Sequence, residues 1–114
     1  MCGIIGVING SKVTDALISG LERLEYRGYD SAGIAVVDDK LIQASKSSGK
    51  LDNLKQSLLD QKIDGRVGIG HTRWATHGRP ISLNAHPHQS EHVTVVHNGI
   101  IENSNLLKKN LEKE

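Results

Sequence analysis

Length, composition and charge exclude several function classes. The chain has 114 residues, with 14 Lys and Arg against 13 Asp and Glu, so its formal net charge is +1 at pH 7. It has no basic run and few aromatic residues, so it lacks the cationic stripe and stacking platforms of nucleic-acid-binding proteins. No segment approaches the ~20 apolar residues that span a bilayer, and a single cysteine forms no internal disulfide. We therefore predict one small cytoplasmic domain with no nucleic-acid or membrane partner.

The predicted elements alternate between short strands and amphipathic helices. Residues 2–8 are apolar and β-branched and precede an Asn9-Gly10 turn, which predicts a strand. Apolar residues at helical spacing predict helices over residues 13–26, over 51–59 and from about 103 onward. Further strands are predicted over residues 32–37, 41–45, 67–74 and 93–96. The first two of these form a hairpin and the last two are buried, which indicates an α+β or layered α/β architecture.

Cys2 is the strongest catalytic candidate because it directly follows the initiator Met1. It is the only cysteine in the chain. Removal of Met1 would give one residue both a thiol and a free α-amine. An α-amine titrates near ~7.7–8.0, so it can accept the thiol proton at neutral pH. A small buried cysteine at the start of a strand is an equally good interpretation of this position alone.

Two polar segments beside predicted strands are candidate binding loops. Residues 26–33 contain both tyrosines, an arginine, an aspartate and two glycines, a composition that favours a turn with a local ion pair over a loop that places Arg27 against a polar site. Residues 70–78 carry Arg73, Trp74 and two histidines directly after an apolar strand. A guanidinium binds a carboxylate through two parallel N–H groups, and loops beyond strand ends often hold ligands. We therefore predict that the second segment binds a small ligand.

The Asn98-Gly99 pair follows the last predicted strand. The Asn amide and the Gly N–H can point at one oxygen and form an oxyanion hole, which stabilises the tetrahedral intermediate of acyl transfer. An Asn-Gly turn without any catalytic role is common, and the pair taken alone favours that interpretation.

The histidines suggest a metal site as a rival hypothesis. All six lie between His71 and His97, and imidazole is a ligand for zinc and copper. Their spacing matches no zinc template, and no second cysteine is present. We predict neither a metal nor another cofactor.

Together these segments resemble the class II glutamine amidotransferases, whose nucleophile is an N-terminal residue. The resemblance is strongest to the glutaminase domain of the glucosamine-6-phosphate synthase family, and it spans nearly the whole chain. It implies an α+β fold, the αββα sandwich of N-terminal-nucleophile hydrolases, with residues 1–114 as the N-terminal part of the domain. The matching runs are MCGI at residues 1–4, LEYRGYDSAG at 24–33, HTRWATHG at 71–78, NAHPH at 84–88 and VVHNGIIEN at 95–103.

The resemblance implies a role for each candidate residue. Cys2 attacks the side-chain amide of glutamine, its α-amine acts as the base, and Asn98 with Gly99 forms the oxyanion hole. Arg27 helps to hold the Cys2 terminus and Asn98. Arg73 binds the α-carboxylate of glutamine. The remaining pocket residues are Trp74, Thr76, His77 and, in a supporting role, His86.

The resemblance also predicts how the activity is used. Ammonia passes to a synthase domain that acts on fructose 6-phosphate, and the parent enzymes form homodimers mainly through that domain. Residues 1–114 contain no synthase or sugar-isomerase segment and end before a later aspartate that binds the glutamine amine. We therefore expect little or no glutaminase activity from these residues alone. The alternative is a non-catalytic fragment that binds glutamine or associates with other chains.

Overall fold

The computed structural model describes residues 1–8, 10–39 and 41–114. The chain has the α+β character that the order of predicted elements indicates. Its long strands are β1 (Gly3–Ile8), β2 (Ser31–Asp38), β3 (Leu41–Ser48) and β4 (Val67–Arg73). Its longer helices are α1 (Val13–Leu24) and α2 (Leu51–Leu59). The strands form an antiparallel sheet in the order β1-β4-β2-β3, so β4 lies between β1 and β2.

The core lies between the two helices and one face of this sheet. Val13, Leu17 and Leu21 recur every four residues on α1, which places them on one face of the helix. All three are fully buried. They form a cluster with Ile34 and Val36 of β2 and with two leucines of α2. The helical layer therefore covers one face of the sheet and leaves the other face for loops.

The strand register brings the N-terminus to the end of β4. Gly3 pairs with Thr72 on β4, and Ser31 pairs with Arg73. Side chains alternate between the two faces of a strand, and Ile5 packs against the core beneath α1. Cys2 therefore lies beside the end of β4 and on the face away from the helices.

Several predicted boundaries differ from those of the structure. The first helix ends at Leu24 and is followed by a 3-10 turn over Glu25–Arg27, so it stops two residues before the predicted Tyr26. The hairpin is longer than predicted because β3 continues to Ser48. Trp74 lies beyond the end of β4. Asn9 of the predicted turn lies outside the described residues.

The prediction of a buried strand over residues 93–96 is wrong. The strand β6 comprises only Thr94–Val95, and it pairs with β5 (His88–Gln89) in a separate two-stranded sheet. Val93 is 55% exposed and Val95 is 50% exposed. The valines stay exposed because this short ladder lies at the surface instead of joining the main sheet.

The last helix, α3, spans Ser104–Leu111, as the helical pattern in the tail predicts. Each of its residues is exposed, including its three leucines. Within the described ranges, no helix is both long enough and apolar enough to cross a membrane.

The buried face of α1 should dominate the stability of the domain. We expect Leu17→Ala to lower the free energy of unfolding by about 2–5 kcal/mol, because Leu17 is 0% exposed and its removal leaves a cavity. Leu59→Ala removes the same atoms at a side chain that is 74% exposed, so it should change stability by less than ~0.5 kcal/mol. Urea unfolding followed by circular dichroism measures both. Equal losses would contradict the assignment of the core.

Candidate active site

The Cys2 thiol lies against the first residue of the loop that follows β4. Its Sγ accepts a hydrogen bond from the backbone N–H of Trp74 at 3.3 Å and lies 3.7 Å from the Trp74 carbonyl oxygen. The cysteine is partly exposed. This position follows from the antiparallel pairing of β1 with β4. Gly3 is opposite Thr72, so Cys2, the residue before Gly3, lies beside the residues that follow Thr72.

A cavity of about 860 Å³ adjoins this thiol. Its volume falls within the range of small-molecule sites, about 300–1,000 Å³. Residues from distant parts of the chain meet here, because β1, β4 and the segments after β4 reach the same end of the sheet. Its lining includes every residue predicted for the site except Arg27: Cys2, Arg73, Trp74, Thr76, His77, His86, Asn98 and Gly99.

Arg27 is the one predicted site residue that does not line this cavity. It lies in the 3-10 turn and is exposed. Its guanidinium stacks 5.8 Å from the centre of the Tyr26 ring, and its Nε donates to the Tyr26 hydroxyl at 3.3 Å. Its backbone does reach the N-terminus, since the Arg27 carbonyl accepts a hydrogen bond from the Met1 ammonium at 3.0 Å.

A buried cation and a partly buried carboxylate shape the loop after β4. The guanidinium of Arg73, which is 8% exposed, donates to the carbonyls of His77 and, at 3.2 Å, Arg79. Asp30 accepts the N–H of Ala75 at 2.6 Å through Oδ2. These contacts hold the loop around Arg73, whose guanidinium has further N–H groups that can bind a carboxylate.

Trp74 packs on Gly28 at the rim of the cavity. Gly28 has φ +73°, and a Cβ atom there would lie 3.2 Å from the indole ring. Trp74 is 50% exposed. Only a residue without a side chain allows both this backbone conformation and this close approach, so the first glycine of the 26–33 segment places the indole.

Three histidine rings that line the cavity contact one another: His71 and His86 are stacked, and His88 is tilted by 60° against His86. The ring centres of His71 and His86 are 4.4 Å apart with an interplanar angle of 25°, and those of His86 and His88 are also 4.4 Å apart. Nε2 of His71 lies 2.6 Å from Oδ1 of Asn98. The N–H of His97 donates to Nδ1 of His86 at 3.3 Å. Two stacked rings therefore hold two consecutive residues of the Asn98 segment.

No motif in the sequence assigns His71 a role of its own. The alternation of side chains along a strand could have identified it, because it places His71 and Arg73 on one face of β4, away from α1. The partner ring, His86, could not be placed in this way because it lies in a loop. Its backbone packs on Gly33 of β2, where a Cβ atom would lie only 2.2 Å from the His86 carbonyl oxygen.

Burial keeps these three rings uncharged at neutral pH. It lowers the pKa of His86 to about 4, and the nearby His71, His88 and Arg73 lower it further by charge repulsion. Burial also lowers the pKa of His71 and of His88. The rings therefore act as neutral hydrogen-bonding groups and not as cations.

Stacking also bears on the metal hypothesis. Within residues 1–8, 10–39 and 41–114, no group of three or more His, Cys, Asp or Glu side chains could hold a metal ion. The rings of His71 and His86 lie nearly face to face, which differs from the convergence of ligands on one point that a tetrahedral site requires.

Comparison with known proteins gives one consistent result. No protein-family model matches the chain. Glutamine–fructose-6-phosphate aminotransferase [isomerizing] from Clostridium perfringens is 56% identical over 110 residues, which is 95% of this chain and 18% of that protein. The enzyme of the same name from Bradyrhizobium diazoefficiens is 52% identical over 113 residues, covering 99% of this chain and 19% of its own length. The chain thus spans less than a fifth of these relatives.

Two solved structures share the fold. An allosteric regulatory enzyme of purine biosynthesis superposes with a TM-score of 0.84 at 29% identity, covering 99% of this chain and 25% of that one. Glutamine phosphoribosylpyrophosphate amidotransferase from B. subtilis gives a TM-score of 0.81 at 28% identity, with the same coverage.

The fold is that of the N-terminal-nucleophile glutamine amidotransferases, present in part. Within that class, the sequence matches the N-terminal part of the glutamine–fructose-6-phosphate aminotransferases. The resemblance stated from the motifs and the fold class that it implied are confirmed.

Gly28→Ala should displace Trp74. A side chain at this positive φ costs about 1–3 kcal/mol, and the added methyl group meets the indole ring. We expect lower stability and a shifted emission maximum, which reports this residue alone because it is the only tryptophan. Gly6→Ala is the matched control, since its Cβ would lie 4.0 Å from the nearest atom, the Gly68 carbonyl oxygen. Unchanged emission in the Gly28 variant would contradict the packing.

Stability should fall as the pH drops from about 6.5 to about 4. The pKa of His86 is about 4 when folded and ~6.5 when unfolded, so the unfolded chain binds more protons in this window and acid favours it. Above about 6.5 this contribution is fully present, and below about 4 it is lost. Urea midpoints across the window measure it.

The matched variant for this measurement is His86→Asn. Its amide oxygen can accept the His97 N–H in place of Nδ1, and it does not titrate. The carboxylates contribute equally in both proteins, so their effect cancels in the difference. We expect a shallower pH dependence in the variant, and parallel curves would show that His86 is not the titrating group.

Proposed function

We propose that the chain is the first part of a cytoplasmic glutaminase that releases ammonia from glutamine. One observation carries the proposal: the Cys2 thiol, the Arg73 guanidinium and the Asn98-Gly99 pair line a single cavity. A nucleophile, a carboxylate-binding group and a pair of N–H donors are the groups needed to bind an amino acid and cleave its side-chain amide.

The proposed reaction consists of two acyl transfers on Cys2. The thiolate attacks the side-chain carbonyl carbon of glutamine, the C–N bond breaks, and the proton taken from the thiol leaves with ammonia. Water then attacks the thioester, the C–S bond breaks, and glutamate and the free thiol are released. The carbonyl oxygen becomes negatively charged in both steps, and the Gly99 N–H and the Asn98 amide would stabilise that charge.

The proposed base is the α-amine of Cys2, and it depends on the loss of Met1. With Met1 in place, the Cys2 nitrogen is part of a peptide bond and cannot accept a proton. The Met1 ammonium itself is bound, 3.0 Å from the Arg27 carbonyl and 3.5 Å from that of Gly28. This contact favours a second candidate function, in which a chain that keeps Met1 binds glutamine without turning it over.

We extend the proposal to the larger protein through the names of its relatives. Both relatives are glutamine–fructose-6-phosphate aminotransferases, and 18–19% of their length is matched here. Residues 1–114 would supply ammonia to a synthase region outside this segment, which transfers it to fructose 6-phosphate. The homodimer expected for such enzymes would likewise depend on that region.

Covalent labelling of Cys2 tests the proposed pocket. The reagent is the diazoketone analogue of glutamine, applied to a sample whose intact mass shows that Met1 is absent. Arg73→Ala should raise the half-saturating reagent concentration by about 10- to 100-fold, because a hydrogen bond to a charged group contributes about 1.5–3 kcal/mol. Arg66→Ala, at an exposed arginine outside the cavity, should leave it unchanged.

A second reagent separates carboxylate binding from loop damage. The same diazoketone without its α-carboxylate should label the unchanged chain and Arg73→Ala at equal rates. A rate that falls for both reagents would mean that Arg73 acts only through its loop contacts. Labelling that persists in Cys2→Ser would refute the proposed nucleophile, and normal glutamate release by residues 1–114 would refute the expectation that this segment has little activity.

A further inference from the structure

We propose that His71 is a positioning residue that turns the Asn98 side chain so that its NH₂ group, and not its oxygen, faces the cavity. The inference rests on the proposed function, because the NH₂ group matters only if an oxyanion forms beside it. It concerns a residue to which the motif analysis gave no role.

A single short contact joins the two side chains. Nε2 of His71 lies 2.6 Å from Oδ1 of Asn98. An amide oxygen can only accept a hydrogen bond, so the proton of this bond must sit on Nε2. With Oδ1 engaged in this way, both N–H groups of the Asn98 amide remain available. Asn98 lines the same cavity as Cys2.

The tautomer of His71 therefore decides the polarity of the site. In a neutral imidazole, one nitrogen donates and the other accepts. If Nδ1 carried the proton, Nε2 would be an acceptor and the Asn98 amide would turn over to donate to it. Its oxygen would then face the cavity and repel a developing negative charge. The Nε2–H tautomer gives the arrangement that stabilises an oxyanion.

The surroundings of His71 hold the ring in this orientation. His71 is 0% exposed, and its ring lies 4.4 Å from that of His86. His86 in turn accepts the N–H of His97, the residue before Asn98. Nδ1 of His71 is buried and has no hydrogen-bond partner among the described residues, so the contact of Nε2 with Asn98 is the side-chain hydrogen bond that orients the ring. Burial lowers the pKa of His71, which keeps the ring neutral near pH 7.

The first test reads the tautomer without using glutamine chemistry. Long-range ¹⁵N–¹H correlation spectra of the histidine-labelled chain at neutral pH distinguish Nε2–H from Nδ1–H, and the His71 signals are assigned by their loss in His71→Gln. We expect the Nε2–H form. The Nδ1–H form or a doubly protonated ring would overturn the proposal, whatever the outcome of any labelling experiment.

The second test compares two variants of His71 whose side chains differ in length. In His71→Gln the amide nitrogen can occupy the place of Nε2 and still donate to Asn98, whereas His71→Asn reaches only the place of Nδ1. The ketone oxygen of the diazoketone would accept hydrogen bonds from the same donors as the amide oxygen of glutamine. In the chain without Met1, we therefore expect His71→Asn to lower the maximal rate of Cys2 labelling by about 10-fold, as one lost hydrogen bond would.

The kinetic pattern separates positioning from a structural role. The half-saturating reagent concentration should change by less than about threefold in His71→Asn, because Arg73 and the loop are untouched. His71→Gln should recover most of the maximal rate. A rise in the half-saturating concentration with an unchanged maximal rate, or equal defects in both variants, would overturn the proposal. If the unchanged chain is not labelled at all, the proposed function fails and the tautomer still decides the proposal about His71.

Discussion

The antiparallel pairing of β1 with β4 is the contact on which the candidate site depends. It places Cys2, the second residue of the chain, beside the loop that begins at Trp74. Because side chains alternate along a strand, a slip of one residue in this register would turn Cys2 toward α1 and away from the cavity. The core packing of Ile5 beneath α1 opposes such a slip, since the slip would also move this side chain to the other face. The position of the thiol is thus set by the same burial that stabilises the sheet.

The other side of the site depends on close backbone approach and neutral stacking. Gly33 lets the His86 carbonyl reach the sheet, and the stacked pair His71 and His86 holds the segment that carries Asn98. An uncharged stack is compatible with the nearby Arg73, because two or three imidazolium rings beside a buried guanidinium would repel it and one another. Burial of the rings therefore serves the electrostatics of the cavity as well as its shape.

The N-terminus adds a chemical condition that folding cannot satisfy. The thiol can occupy its place with Met1 present, but the proposed base does not exist until the peptide bond before Cys2 is cut. The Met1 ammonium lies on the carbonyls of Arg27 and Gly28, so the turn after α1 offers acceptors for an amine at this end of the chain. Folding and processing thus make separate contributions to the proposed activity.

The sequence alone determined the chemistry that is available and most of the local structure. A cysteine directly after Met1, an arginine and a tryptophan in one loop, and an Asn-Gly pair are all visible as residue types, and the periodicity of the apolar residues predicts β1, α1, the β2–β3 hairpin and β4. These signals are local, because they depend on side-chain spacing within one turn or one strand.

Only the tertiary structure decided which of these groups meet. Arg27 and Arg73 are both arginines in polar segments, yet one lies on Tyr26 in solvent and the other is buried at the cavity. The valines near residue 95 look like a core strand but remain exposed, and His71 looks like one histidine among six but holds Asn98. These outcomes depend on pairing and packing between residues far apart in the chain, and spacing within a short window carries no information about them.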